Sequence, residues 1–572
     1  MQKNCKKCWI NFEITKNDLD FYDKISPVFN GIKYQIPSPT LCPNCRQQRR
    51  LSFINVQNLY KRKDKTTGKD LISPFSPDKD LNIVSRERWF SDEIDAKEYG
   101  RDFDFSKSFF EQYLELGKVA PRWSNIVHNC ENCDWNFNIA DSKNCYFVRS
   151  SLDSERCLYS LDLRSAYDTV DSLLVSNSEL CYEVINGQNC FRILWSENVK
   201  NCQDSMLLFD CENVKNSIAC TSLRHKENYF LNEKVTKKEI EDIWGKILNN
   251  ENFKNKISED FEKLKLKSFH RANTIINSAN CTGDEIFNSK NIHESFSVIN
   301  CEDGKYLFIA YNTKDAYDCS KPDMSELTYE TSSCHKLYNC HFCFNSIDLL
   351  NCYYCETTSN LKNCFGCVGL KNSQYCILNK QYTKEEYEEL VSKIIGHMRT
   401  PSNSSLTTGE PEWAEFFPSS MSPFGYNETI ANEYFPLTKK NIEMHNCISL
   451  QKLNWSDYKS PVPNVEKIVS SEKLPYKISD IPNDILNWAI RCEKTKRPYI
   501  IQLQELEFYR KMHLPIPHYH PDIRYEKRMI KRNSIKLWER NCQECNTIVQ
   551  TKYTPNRPEM ILCESCYLKK NY

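Results

Sequence analysis

The chain has little glycine, 13 residues in 572, which argues against a flexible low-complexity polymer. No apolar run approaches the roughly 20 residues that a membrane-spanning helix needs, so no membrane partner is expected. The first motif starts at Cys5, directly after Met1-Gln2-Lys3-Asn4; that leaves no room for a signal peptide, and the expected compartment is the cytoplasm. The sequence has no Walker loop, no HExxH, no GxSxG and no GxGxxG. "DFDFS" at 102–106 resembles a DxD phosphotransferase motif, but no apolar strand precedes it. Sugar-cleaving enzymes built on a carboxylate-lined β-helix keep an enzymatic alternative open, on fold analogy alone. The chain is therefore expected not to be an enzyme.

Net charge is zero, yet the charge is unevenly placed. Residues 1–65 carry thirteen Lys/Arg against five Asp/Glu, and residues 491–572 carry seventeen against nine. Each end is thus +8 and the middle −16. Basic ends around an acidic body grip a polyanion or fold back onto the body. Thirty cysteines in a long chain without a secretion signal are expected as reduced thiols or metal ligands.

Cys5-x2-Cys8 followed by Cys42-x2-Cys45, and Cys542-x2-Cys545 followed by Cys563-x2-Cys566, have the spacing of four-cysteine zinc sites. Each C-x2-C turn presents two sulfurs to one side of an ion, and two turns close a tetrahedron. Two structural Zn2+ ions are expected. A closed site has no open position for water, so neither should be catalytic.

The first module is copied near the other end. "DLDFY" (18–22) matches "ELEFY" (505–509), Cys5 falls on Cys492, and after a nine-residue contraction Pro43, Arg46, Arg50 and Asn55 fall on Pro521, Arg524, Arg528 and Asn533. Thr495, His520 and Ile523 replace Cys8, Cys42 and Cys45, which argues against metal there; Cys492 and His520 are its only anchors. Both copies keep a basic strip: Arg46, Arg49, Arg50, Lys61, Arg62 and Lys63 in one, Arg524, Lys527, Arg528, Lys531 and Arg532 in the other. The i, i+3, i+4 spacing sets 46, 49 and 50, and likewise 524, 527 and 528, on one helical face. Such a face suits a nucleic-acid backbone; its alternative use is as a salt-bridge partner for the acidic middle.

Twenty cysteines lie between Cys130 and Cys376, many as "NC", and pairs such as Cys181/Cys202, Cys319/Cys340 and Cys334/Cys355 stand 21 apart. The recurrence predicts a repeat architecture: short strands joined by Asn-rich turns in a parallel β-helix of about 21 residues per coil. Inner CxxC pairs, such as Cys340/Cys343, are read as stacked core thiols, because related repeats keep only the first cysteine; metal or redox use is the alternative. "VKNSIACTSLRHKENYFLNEKVTKKEIEDI" (214–243) aligns with "LKNCFGCVGLKNSQYCILNKQYTKEEYEEL" (361–390), each ending in a capping box, Thr236-x-x-Glu239 and Thr383-x-x-Glu386. Two solenoid blocks, each closed by a helix, follow.

The expected fold is mainly β with helices. Its parts are an N-terminal zinc ribbon with basic helix (1–65), an aromatic-rich helical connection with Ser106 as helix N-cap and Gly117 near the helix end (66–128), and two solenoid blocks (129–267 and 268–399). A Pro/Ser/aromatic-rich linker that wraps surface (400–490), the zinc-less copy (491–540) and a C-terminal zinc ribbon (541–572) complete it.

"CPNCRQQRRLSFINVQNLYKRK", "YGRDFDFSKSFFEQ", "NCFGCVGLKN", "FFPSSMSPFGYNETIANEYFPL" and "TKYTPNRPEMILCESCY" together resemble a family of cysteine-rich zinc-ribbon proteins from ultra-small candidate-phylum bacteria. The likeness covers most of the chain; cysteines thin out at 158–176 and 282–330. It implies zinc ribbons and a solenoid but no activity; the CaiB/BaiF CoA-transferase label that some members carry finds no support in these residues. The expectation is a non-enzymatic zinc protein whose basic helices contact nucleic acid, RNA before DNA, with the solenoid as a rigid spacer. A protein-assembly scaffold, meeting an acidic protein surface, and a redox or metal-handling protein are the alternatives.

Overall fold

The computed structural model describes residues 1–572 except 303, 306–307, 315–316, 318, 320–323, 327, 332–334, 402–405, 407–409, 449–451 and 533–534; Cys334 and Asn533 lie outside the described residues. The chain forms two compact units. One comprises residues 1–125, 273–458 and 535–537, the other 126–272, 459–534 and 538–572. Each contains one long parallel β ladder and one of the two terminal regions.

In the ladder of the second unit, Phe137 pairs with Arg149, Arg149 with Leu161, Leu161 with Leu173, Leu173 with Ile185, Ile185 with Glu197, and Glu197 with Phe209, all parallel. The chain returns beside itself every twelve residues. His335, Ile347, Ser359 and Lys371 repeat this spacing in the first unit. The repeat is therefore twelve residues, not the 21 that the cysteine spacing suggested.

The backbone explains the discrepancy. From Asn138 to Leu231 every third residue is left-handed, with φ between 43° and 60°, and the same three-residue spacing holds from Asn339 to Leu378, with Gly366 (φ 68°) and Gly369 (φ 70°) among them. Each twelve-residue repeat thus contains four left-handed corners, three residues apart. A left-handed L-residue costs roughly 1–2 kcal/mol, least for Asn and Asp, which accounts for the asparagines. Between Asn138 and Cys220 in the second unit, and from Cys340 to Cys376 in the first, the residue after a left-handed corner is buried, and that is where the ladder cysteines stand: Asn201 precedes Cys202, Asn351 precedes Cys352, Asn363 precedes Cys364. Many of these thiols donate to the carbonyl two residues earlier and approach another nine residues later, as Cys202 does to Lys200 (3.3 Å) and Cys211 (3.4 Å). Cysteines that each follow a corner recur at multiples of three, and 21 is twelve plus nine. Outside, Asn339 donates to Asn351 and Asn351 to Asn363 at 3.0 and 3.1 Å.

Helices follow the ladders with the expected capping boxes: Lys237–Asn249 on Thr236 and Glu239, Lys384–Met398 on Thr383 and Glu386. A further helix, Glu251–Lys267, packs on strand Ile218–Thr221. The helix expected after Ser106 spans Phe109–Val119 and is capped by Ser108 with Glu111, two residues later than anticipated. Its first amides, Phe109 and Phe110, also donate to Glu412 at 2.8 and 3.1 Å. The segment after Glu412 does not stay on the surface: Trp413, Phe416 and Phe417 are buried among Phe53, Tyr113, Phe344 and Tyr354.

Candidate metal centres

Three short turns share one backbone form. Cys5 N–H donates to Ile10 and Trp9 N–H to Cys5, both at 3.0 Å, with Trp9 left-handed at φ 62°. Cys542 with Asn546 (φ 61°) and Cys492 with Lys496 (φ 57°) repeat this arrangement. In the first, Cys42 caps helix Pro43–Leu51 and Cys45 lies in its first turn. In the second, Cys563 caps Glu564–Asn571.

Cys5, Cys8, Cys42 and Cys45 bring their four sulfurs within 4.8 Å of one another, and so do Cys542, Cys545, Cys563 and Cys566. Both groups could hold a metal ion. The fit can be tested on distance: four thiolates about 2.3 Å from one zinc ion stand about 3.8 Å apart in a tetrahedron. Cys8 and Cys42 are 3.6 Å apart, Cys545 and Cys563 3.7 Å. In each group one thiol is held below the usual range. Cys42 is pulled down to about 5, chiefly by the Cys45 thiol hydrogen-bonded to it, and Cys545 to about 6 by the hydroxyl and amide of Thr547. No other cluster of this kind occurs among the described residues. The inner CxxC thiols are stacked along the ladder cores instead.

In the third turn His520 stands in place of Cys42 and caps helix Pro521–Lys531, its Nδ1 accepting from Asp522 N–H at 3.1 Å. Burial pushes this imidazole down to about 4, which keeps Nδ1 free to accept. The cap survives without the metal.

The arginines of both strips turn inwards, which corrects the expectation of a phosphate-facing surface. Arg46, Arg49, Arg50, Arg524 and Arg528 are between 0 and 6% exposed. Arg49 donates to both oxygens of Glu330 at 2.9 and 3.0 Å and to Glu415 at 2.8 Å; Arg46 lies 3.6 Å from Glu330. Arg524 and Arg528 grip opposite oxygens of Asp171 at 2.5 and 2.7 Å, and Arg524 also reaches Glu505 at 3.2 Å. Glu330 and Asp171 belong to the ladders, so each basic face clamps its module onto the ladder of its own unit. The physical reason is desolvation: a guanidinium buried beside a carboxylate has no surface to offer a phosphate.

The other cations of the strips differ. Lys61 and Lys63 are exposed and pair with Asp70. Arg62 donates to the carbonyls of Phe75 and Ser76. Lys531 pairs with Glu197 at 3.1 Å, Lys527 lies 3.3 Å over the Tyr519 ring, and Arg532 is half-buried. Sequence reasoning missed Glu330, Glu415 and Asp171, lone acids more than a hundred residues from the arginines they hold. The opposite charges of ends and middle were their only signal.

No family model and no curated protein matches the chain. A solved structure from Desulfovibrio desulfuricans G20, provisionally described as an acetyltransferase, is similar over 45% of this chain and 68% of that one, at 10% identity and a TM-score of 0.10. Likeness of that size carries no argument.

Proposed function

We propose that the protein is a non-enzymatic structural zinc protein that serves as a scaffold for another protein, in which each four-cysteine group holds one Zn2+ and the ribbon modules of each unit brace a parallel β-solenoid block of twelve residues per turn. The observation that carries this reading is the burial of the arginine strips against Glu330 and Asp171, which spends their charge inside the protein. Membership of the cysteine-rich zinc-ribbon family that the motifs resemble is part of the proposal. So is the cytoplasm, since a ladder core built on buried thiols suits a reducing compartment.

The test is to purify the protein at low salt, count its metals and look for bound nucleic acid. Two zinc ions per chain, no iron and no nucleic acid support the scaffold. A defined RNA released on reversing the exposed Lys61, Lys63 and Lys527 to Glu would overturn it in favour of a nucleic-acid role. Reversal of Arg46, Arg49 and Arg50 would not serve, because it places like charges beside Glu330 in the core.

A further inference from the structure

The duplication does not end at Asn55. From Tyr60 the chain runs in step with Trp538, 478 residues on (538 − 60), the spacing that also relates Arg46 to Arg524. "YKRKDKTTG" (60–68) meets "WERNCQECN" (538–546), and "NIVSRERW" (82–89) meets "MILCESCY" (560–567). Where Cys542, Cys545, Cys563 and Cys566 stand in the later copy, the earlier one has Asp64, Thr67, Ser85 and Arg88.

The backbones correspond. Hairpin Tyr60–Lys63 with Asp70–Ser73 has the antiparallel register of Trp538–Asn541 with Ile548–Thr551, Tyr60 opposite Ser73 and Trp538 opposite Thr551. Gly68 (φ 70°) donates to Asp64 and Asn546 (φ 61°) to Cys542, both at 2.9 Å. Ser85 caps helix Arg86–Phe90 as Cys563 caps Glu564–Asn571. The strand ahead of each helix, Ile83–Val84 or Met560–Leu562, pairs in parallel with the strand Arg122–Trp123 or Phe269–Arg271.

The polar centre is matched contact for contact. The Asp64 carboxylate accepts from the amides of Thr66, Thr67 and Ser85 at 2.9, 2.8 and 3.3 Å. The Cys542 sulfur accepts from those of Glu544, Cys545 and Cys563, the same three positions. Three converging amides stabilise an anion, and a buried anion needs a counter-charge. Arg88, at the position of Cys566, supplies it: its Nη1 lies 2.9 Å from each oxygen of Asp64, whose side chain is 2% exposed.

We propose that residues 60–90 are a fourth ribbon in which the Asp64–Arg88 ion pair takes the place of a zinc ion, tying the hairpin turn to the helix that follows. Each terminal region is then a tandem of two ribbons, one with a four-cysteine group and one without, in opposite order. At its first knuckle position the metal-free ribbon of the C-terminal region keeps a thiol, Cys492, among converging amides of the same kind. Cys492 is held below the usual thiol range: burial opposes ionisation, but the amides of His520, Thr495 and Lys494 and the Thr495 hydroxyl outweigh it.

The proposal rests on reading the four-cysteine groups as zinc centres, which the zinc count of the unaltered protein tests by itself. The variant Asp64→Cys/Thr67→Cys/Ser85→Cys/Arg88→Cys is expected to bind three zinc ions per chain instead of two, with thiolate-to-metal absorption of the cobalt form rising by half. A folded variant that still binds two would overturn the proposal. Should that variant not fold, Asp64→Asn, Arg88→Met and their double variant decide without metal. Each single change is expected to lower the melting temperature while zinc stays at two, and the double to melt close to the worse single. Losses that simply add would overturn the ion pair as the substitute for zinc.

Discussion

Arg524 sits fully enclosed between Asp171, Glu505 and Tyr509. Replacing one member of such a group strands the others, and breaking a buried pair costs about 3–5 kcal/mol. Arg524→Met should therefore lower the unfolding free energy by about that amount in urea titration, and Glu505→Gln in the same background should cost little more, because Arg524 is the cation paired with Glu505, whereas Asp171 keeps Arg528. His520 makes stability depend on pH. Its folded pKa of about 4 lies below the unfolded value of about 6.5, so between these values the unfolded chain binds a proton that the folded one does not. Its contribution is complete above about pH 6.5 and is lost as pH falls towards 4. Melting temperatures from pH 7.5 to 4.5 should fall, and His520→Asn, which can cap the same helix, should make the fall shallower.

In the ladders the backbone corner governs which residue stands where. Asn201 is exposed and left-handed at φ 51°. A β-branched residue there should cost roughly 1–2 kcal/mol, so Asn201→Val should melt earlier than Asn201→Gly, which keeps the corner and loses only the bond from Asn189. Parallel strands, the capping boxes at Thr236 and Thr383 and the twin modules were legible because each rests on local pattern. The turn length was not, since cysteine following corners three residues apart carries a period of three and leaves the number of corners in a repeat unstated. The burial of Arg49 and Arg528 was equally hidden, because helical spacing shows that residues share a face but not what the face meets. Asp64 and Arg88 were traceable through the constant spacing of 478, once the comparison is not limited to cysteines.

One four-cysteine group belongs to each unit, so chelation should weaken both. Under reducing conditions, a strong chelator is expected to lower every melting transition of the protein, and zinc to restore them; a transition that stays in place would show a unit that stands without its metal. Far-ultraviolet circular dichroism should change little at room temperature, since the described ladder residues form no cluster that could hold a metal ion. Their geometry has another consequence. A stretch of backbone that meets itself every dozen residues can gain or lose one dozen and leave every remaining neighbour in register, whereas a change of one residue turns thiols outwards. Adjacent strands stand about 4.8 Å apart, so such a ladder is a ruler that can be lengthened or shortened in even graduations of that size.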